Sequence, residues 1–133
     1  MHPLYEKANK LSSEIIGAAI EVHRLKGAGL LESIYERCLA WELELRGIAF
    51  SKQQCVTVEY KGLTFEESLR FDLLIENCLL IEAKAVQDVL PIHKAQLLSY
   101  MKLLNVPIGL LINFNASKLT DGISRLVLHG ADR

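Results

Sequence analysis

Arg70-Phe71-Asp72-Leu73-Leu74-Ile75-Glu76-Asn77-Cys78-Leu79-Leu80-Ile81-Glu82-Ala83-Lys84 reads as two apolar strands joined by a short turn. An Asp, a Glu and a Lys interrupt it where a purely structural hairpin favours Val or Ile, so these charges need a partner or a task. Side chains alternate along a strand, which puts Leu80, Glu82 and Lys84 on one face and Leu79, Ile81 and Ala83 on the other. The turn then decides the chemistry, because directly opposed residues of an antiparallel pair point to the same side. A two-residue turn at Glu76-Asn77 would pair Asp72 with Ile81 and send the two carboxylates to opposite faces. A three-residue connection, or a bulge, sets Asp72 against Glu82 and Arg70 against Lys84. The odd register is the one expected here.

Upstream, Cys55 to Tyr60 alternates as a strand, Lys61-Gly62 turns, and a long strand runs from Leu63. On it Phe65, Leu69, Phe71, Leu73 and Ile75 are expected to form a core face, with Thr64, Glu66, Ser68, Arg70 and Asp72 opposite. Further back, Leu4, Ala8, Leu11, Ile15, Ala18 and Val22 form a helical stripe that ends before Lys26-Gly27-Ala28-Gly29. A second apolar stripe, Ile34, Cys38, Trp41 and Leu45, stops at Arg46-Gly47. Gly29, Glu32, Tyr35 and Leu39 follow one another on a different face of that helix. Glu32 in its first turn has an ordinary structural explanation in the helix dipole, and Tyr35 one in packing.

Downstream, Pro91 opens a helix with Asp88 as its expected cap. Leu97, Leu98, Met101 and Leu104 make its apolar side; His93, Gln96 and Tyr100 line up elsewhere, a pattern a solvated face would also give. Asn105 and Pro107 end it. Ile108 to Phe114 is apolar enough for a strand buried on both faces, and Asp121-Gly122 turns into a last strand or short helix.

The 133 residues suit one domain, residues 1–133, with a working core, and the half-hydrophobic composition excludes disorder. A net charge of -1 supplies no global field for nucleic acid or anionic membranes, leaving only local basic patches for that purpose. No signal peptide and no apolar run of membrane-spanning length stand in the sequence, which predicts a cytoplasmic protein. Cys38, Cys55 and Cys78 lack metal or disulfide spacing and are expected to be reduced and buried.

Asp72 and Glu82, with Glu32 if its helix comes close, offer oxygen ligands that suit Mg²⁺, or Mn²⁺ in its place, far better than zinc. Such an ion polarises a phosphodiester and activates water. Lys84 would orient the water or offset charge on the phosphate, and Gln96 and Tyr100 would hold either from the facing helix. The competing structural account pairs Glu82 and Lys84 with Arg70 and Asp72 across the strands, contacts of little energy.

Asp72, nine residues, then Glu82-Ala83-Lys84 resembles the D-x(n)-E-x-K signature of the PD-(D/E)XK nuclease superfamily, with Phe71 in place of the nominal proline. Gln96-x-x-x-Tyr100 is similar to the helix motif of its RecB-type branch, and Gly29-Leu30-Leu31-Glu32-Ser33-Ile34-Tyr35 resembles the motif that names the GxxExxY family. The resemblance spans about residues 15–125. It implies an α/β, restriction-endonuclease-like αβββαβ core with a mixed central sheet flanked by helices. It also implies metal ligands at Glu32, Asp72 and Glu82, a catalytic Lys84, and supporting roles for Gln96 and Tyr100. The expected function is a metal-dependent nuclease hydrolysing phosphodiester bonds of nucleic acid, DNA ahead of RNA. The alternative is a non-catalytic nucleic-acid- or protein-binding module that keeps the fold. A homodimer is a third way to gain contact surface.

Overall fold

A computed structural model describes residues 1–133. The elements run α1 (Tyr5–Lys26), α2 (Glu32–Leu45), β1 (Phe50–Tyr60), β2 (Leu63–Ile75), β3 (Leu79–Lys84), α3 (Pro91–Leu104), β4 (Ile108–Asn113) and β5 (Ile123–Val127), with a 3₁₀ turn before the last strand. The expected α/β architecture with helices flanking a mixed sheet holds, and the undecided tail is a strand. The sheet order is β1-β2-β3-β4-β5. Only β3 and β4 are parallel, as the α3 crossover requires; the other neighbours are antiparallel.

β3 shows how the two cores divide. Leu79, Ile81 and Ala83 join Ile15, Ala18, Leu39 and Leu43 of α1 and α2, while Leu80 joins Leu97 and Met101 of α3. β4 is buried throughout, as its apolar run predicts. Gly109 gives α3 room to approach, since a Cβ there would stand 2.6 Å from Met101 Sδ.

Ile75 pairs with Leu79, Leu74 with Leu80 and Leu73 with Ile81. The connection is therefore the three residues Glu76, Asn77 and Cys78, and the next position sets Asp72 opposite Glu82. Glu76 and Asn77 both have positive φ, of 45° and 60°, and Cys78 N–H closes the turn on the Ile75 carbonyl at 2.9 Å. The odd register is thus built from a tight left-handed turn plus one extra residue, Cys78, whose side chain is fully buried.

Several expectations are corrected. The odd-numbered residues of β2 do not share one core: Leu69 and Phe71 pack with the α3 side, Leu73 and Ile75 with the α1/α2 side. The β1–β2 register shifts between Ser51 and Gln53, so β2 carries extra residues opposite, and its faces exchange around Asp72. Beyond that point β1 and β2 run on as a mostly exposed hairpin. On α2 the buried face is Tyr35, Leu39, Ala40 and Leu43; Ile34, Trp41 and Leu45 are exposed, because Tyr35 and Leu39 are the residues turned toward the sheet. Asp88 does not cap α3. Leu90 occupies the cap position, and its N–H donates to Nδ1 of His93 at 3.0 Å. All three cysteines are free, but Cys55 is exposed on the hairpin and Cys38 only half-buried.

Candidate metal centre

Pairing between β2 and β3 ends at Leu73–Ile81, and Asp72 stands at the fork where the strands part. Its carboxylate substitutes for the missing backbone partner: Ala83 N–H donates to Asp72 Oδ2 at 2.7 Å. Because the sheet opens there, Glu32 from α2 reaches the same point from the other layer. One oxygen each of Glu32, Asp72 and Glu82 lies within 4.8 Å of the others, and all three residues are half-buried.

Glu32 is held in place by Tyr35, one helical turn further on. The Tyr35 hydroxyl donates to the Gly27 carbonyl at 2.5 Å and accepts the Leu30 N–H at 3.1 Å. Its ring is fully buried and stacks on Phe114, with centroids 4.7 Å apart. Gly27 and Gly29 supply positive φ, of 71° and 95°, for the loop the hydroxyl clasps. The Gly29-x-x-Glu32-x-x-Tyr35 stretch is in this way a fixture that fixes the start of α2 and the carboxylate it carries.

Lys84, on the Glu82 face of β3, places Nζ 3.4 Å from Glu82 Oε1. The cross-strand pairs of the structural account do not form; Arg70 and Asp72 have no ion-pair partner. Gln96 and Tyr100 of α3 border the same cavity of about 360 Å³ as Asp72 and Glu82, and so does His93. Lys84 does not border that cavity; its place is fixed through Glu82.

The electrostatics follow from crowding. Burial, then the neighbouring Asp72 and Glu32 charges, push Glu82 up to about 7 against the pull of Lys84. Burial also raises Asp72, opposed by the Ala83 N–H and by Lys84. Glu36 is raised by burial and by Asp72 and Glu32, with Lys52, 3.9 Å away, acting in the opposite sense. Four carboxylates thus face two lysines. An all-oxygen set with excess negative charge, partly withdrawn from water, fits a hard divalent cation, which would relieve the repulsion that holds protons on Glu82.

Glu36 and Lys52 are neighbours of the centre that the sequence left unmarked. Glu36 was accessible in principle, since it lies four residues after Glu32 on one helix face. Asn113 is a third: its amide accepts Val86 N–H at 3.1 Å and donates to Val86 O at 2.9 Å, securing the chain just after Lys84. No local motif signals such a tertiary clasp.

The sequence profile described as the PD-(D/E)XK nuclease superfamily matches residues 9–126. The chain belongs to the PD-(D/E)XK nuclease superfamily. Its fold is similar to the structure titled "Crystal structure of SSO0001", with a TM-score of 0.53 and 22% identity over 92% of this chain. The match spans 61% of that structure's own chain, so this PD-(D/E)XK protein corresponds to part of it. No curated protein matches the sequence. Nucleases of the superfamily generally use divalent metals, in keeping with the acidic cluster at the fork. No helix is long and apolar enough to cross a membrane.

Proposed function

We propose that this chain is a metal-dependent nuclease that hydrolyses phosphodiester bonds of nucleic acid, DNA in preference to RNA, at the fork between β2 and β3. The observation that carries the proposal is the convergence of Glu32, Asp72 and Glu82 to within 4.8 Å, with Lys84 paired to Glu82 and with Asp72 and Glu82 bordering a cavity that Gln96 and Tyr100 also line. Glu32, Asp72 and Glu82 would hold Mg²⁺, with Mn²⁺ as a substitute, and the bound ion supplies Lewis acidity toward a phosphate oxygen and a water of lowered pKa. Asp72 is aimed by the Ala83 N–H and Glu32 by the Tyr35 clasp, so the ligands are placed before substrate arrives. The ammonium of Lys84, held by Glu82, offsets negative charge gathering on the phosphate. Gln96 and Tyr100 orient the strand from α3.

The residues 1–133 act in this account as one nuclease-like domain of the GxxExxY type, working in the cytoplasm, where its free thiols stay reduced. A homodimer would add contact surface that one small copy lacks, and light scattering measures it directly. End-labelled single- and double-stranded DNA and RNA, incubated with Mg²⁺, Mn²⁺ or EDTA, test the activity. Metal-dependent cleavage that falls at least about 100-fold in Asp72→Asn and Lys84→Ala is expected, the scale of losing a principal transition-state contact. Folded protein that cleaves nothing would leave the binding-module alternative in its place.

A further inference from the structure

The cavity beside the carboxylates contains more polar chemistry than the motif residues account for. Its apolar lining is Phe71, Leu80 and Leu97, and Arg70 and His93 border it together with Gln96 and Tyr100. Arg70 takes part in none of the ion pairs of the chain and makes no side-chain hydrogen bond, although two carboxylates share its cavity. Lys84, by contrast, is paired with Glu82 and does not border this cavity. Arg70, an exposed residue at the cavity's border, is therefore the permanent cation there without a protein partner, and its planar fork suits phosphate oxygens.

His93 has a settled orientation. Its Nδ1 accepts the Leu90 N–H at 3.0 Å, which requires that nitrogen to be unprotonated and puts the proton of the neutral ring on Nε2. One edge of the ring caps its own helix. The other is a donor with no partner in the protein, on a residue that borders the cavity.

Resting on the nuclease reading, we infer that Arg70 and His93 form a phosphate subsite that holds the phosphate next to the scissile one on a nucleic-acid strand. Arg70 precedes Asp72 by two residues on β2, at the far side of the irregular segment where the β1–β2 register shifts. It pairs with none of the carboxylates, which leaves it free for a phosphate beside the one being cleaved. The subsite also answers a problem of charge: a polyanion must approach four carboxylates in a chain of net charge -1, and Arg70 offsets that locally.

The test is binding without turnover. Fluorescein-labelled oligothymidylate of twelve residues is titrated by anisotropy with Ca²⁺ replacing Mg²⁺, over a series of salt concentrations. Arg70→Ala is expected to bind about 10- to 100-fold more weakly, the usual range for a lost charge-assisted contact. Its log–log salt slope should shrink by about 0.7, the value for one phosphate on a single strand. His93→Asn can still accept the Leu90 N–H while lacking the Nε2 donor; it should lose several-fold in affinity with slope and melting temperature unchanged. His93→Gln, whose amide reaches toward the Nε2 position, should recover part of the loss. Wild-type affinity and slope in both Arg70→Ala and His93→Asn overturn the subsite, as does wild-type protein that does not bind the oligonucleotide at low salt. If the binding signatures appear but nothing is cleaved, the nuclease reading falls, and with it the subsite's place beside a scissile phosphate, while phosphate binding by Arg70 and His93 stands. If cleavage depends on Asp72 while Arg70→Ala and His93→Asn both bind normally, the subsite falls alone.

Discussion

Replacing Tyr35 by Phe removes one oxygen and leaves the stacked ring in place, so it isolates the clasp on the loop before α2. The hydroxyl serves two backbone groups at once, the Gly27 carbonyl and the Leu30 N–H, both in a partly buried setting. A buried group left unpaired costs about 1–3 kcal/mol, but Leu30 is 38% exposed and water can recover part of its bond. The expected loss is therefore about 1.5 kcal/mol, which for a chain of this size lowers the melting temperature by roughly 5 °C. Phe114 keeps its stacking partner, so the core itself should not loosen. The loosened loop then lets Glu32 wander, and Mn²⁺ affinity should fall several-fold even at temperatures where the variant is fully folded. Differential scanning calorimetry gives the first quantity and isothermal titration with Mn²⁺ the second. A variant that melts within 1 °C of wild type and binds Mn²⁺ equally well would refute the idea that Tyr35 acts through the loop.

Other outcomes follow from the same geometry. Glu82 titrates at about 7 in the folded chain against an ordinary 4.5, so the folded state holds this proton more tightly than the unfolded one. In EDTA the stability it contributes is complete below pH 4.5 and lost as pH rises through 7, a difference of about 3 kcal/mol at most. Thermal melts from pH 4.5 to 8 should show the decline, Glu82→Gln should flatten it, and millimolar Mg²⁺ should restore stability on the alkaline side; a flat wild-type profile in EDTA would contradict the crowding argument. Asp72→Asn removes the largest neighbouring charge that raises Glu82, and carboxyl-carbon NMR should find the Glu82 midpoint moved down. Gly109→Ala drives a methyl against Met101 and Leu97 and should cost about 1–3 kcal/mol in urea unfolding. The Gly109→Ala/Met101→Ala pair should cost less than the sum of its single changes.

Much of this arrangement was legible because the residues that matter are local. Hydrophobic alternation located β3 and its two faces, the apolar run of Ile108 to Phe114 located the buried parallel strand, and glycines and Pro91 marked the helix ends. The register at Glu76 to Cys78 could be framed as a choice between two countable turns, and the need for Asp72 to face Glu82 picked the observed one. What escaped depended on tertiary contact. Period alone offered two faces for α2, and the stripe with more apolar residues, Ile34, Trp41 and Leu45, proved the exposed one, because Tyr35 anchors the opposite face on Phe114. The exchange of faces in β2 around Asp72 arises from its unequal pairing with β1, which no alternation within β2 reveals. Asp88 lost the cap of α3 to an imidazole that folds back on the preceding N–H, an interaction outside the usual capping residues.

The central claim is that Glu32, Asp72 and Glu82 form one divalent-metal centre. Crystals soaked in millimolar Mn²⁺ and measured at the manganese absorption edge test it most directly. An anomalous peak bounded by oxygens of all three carboxylates, absent from Asp72→Asn crystals, is the predicted result. An empty fork at that concentration, or a peak held elsewhere on the chain, would contradict it.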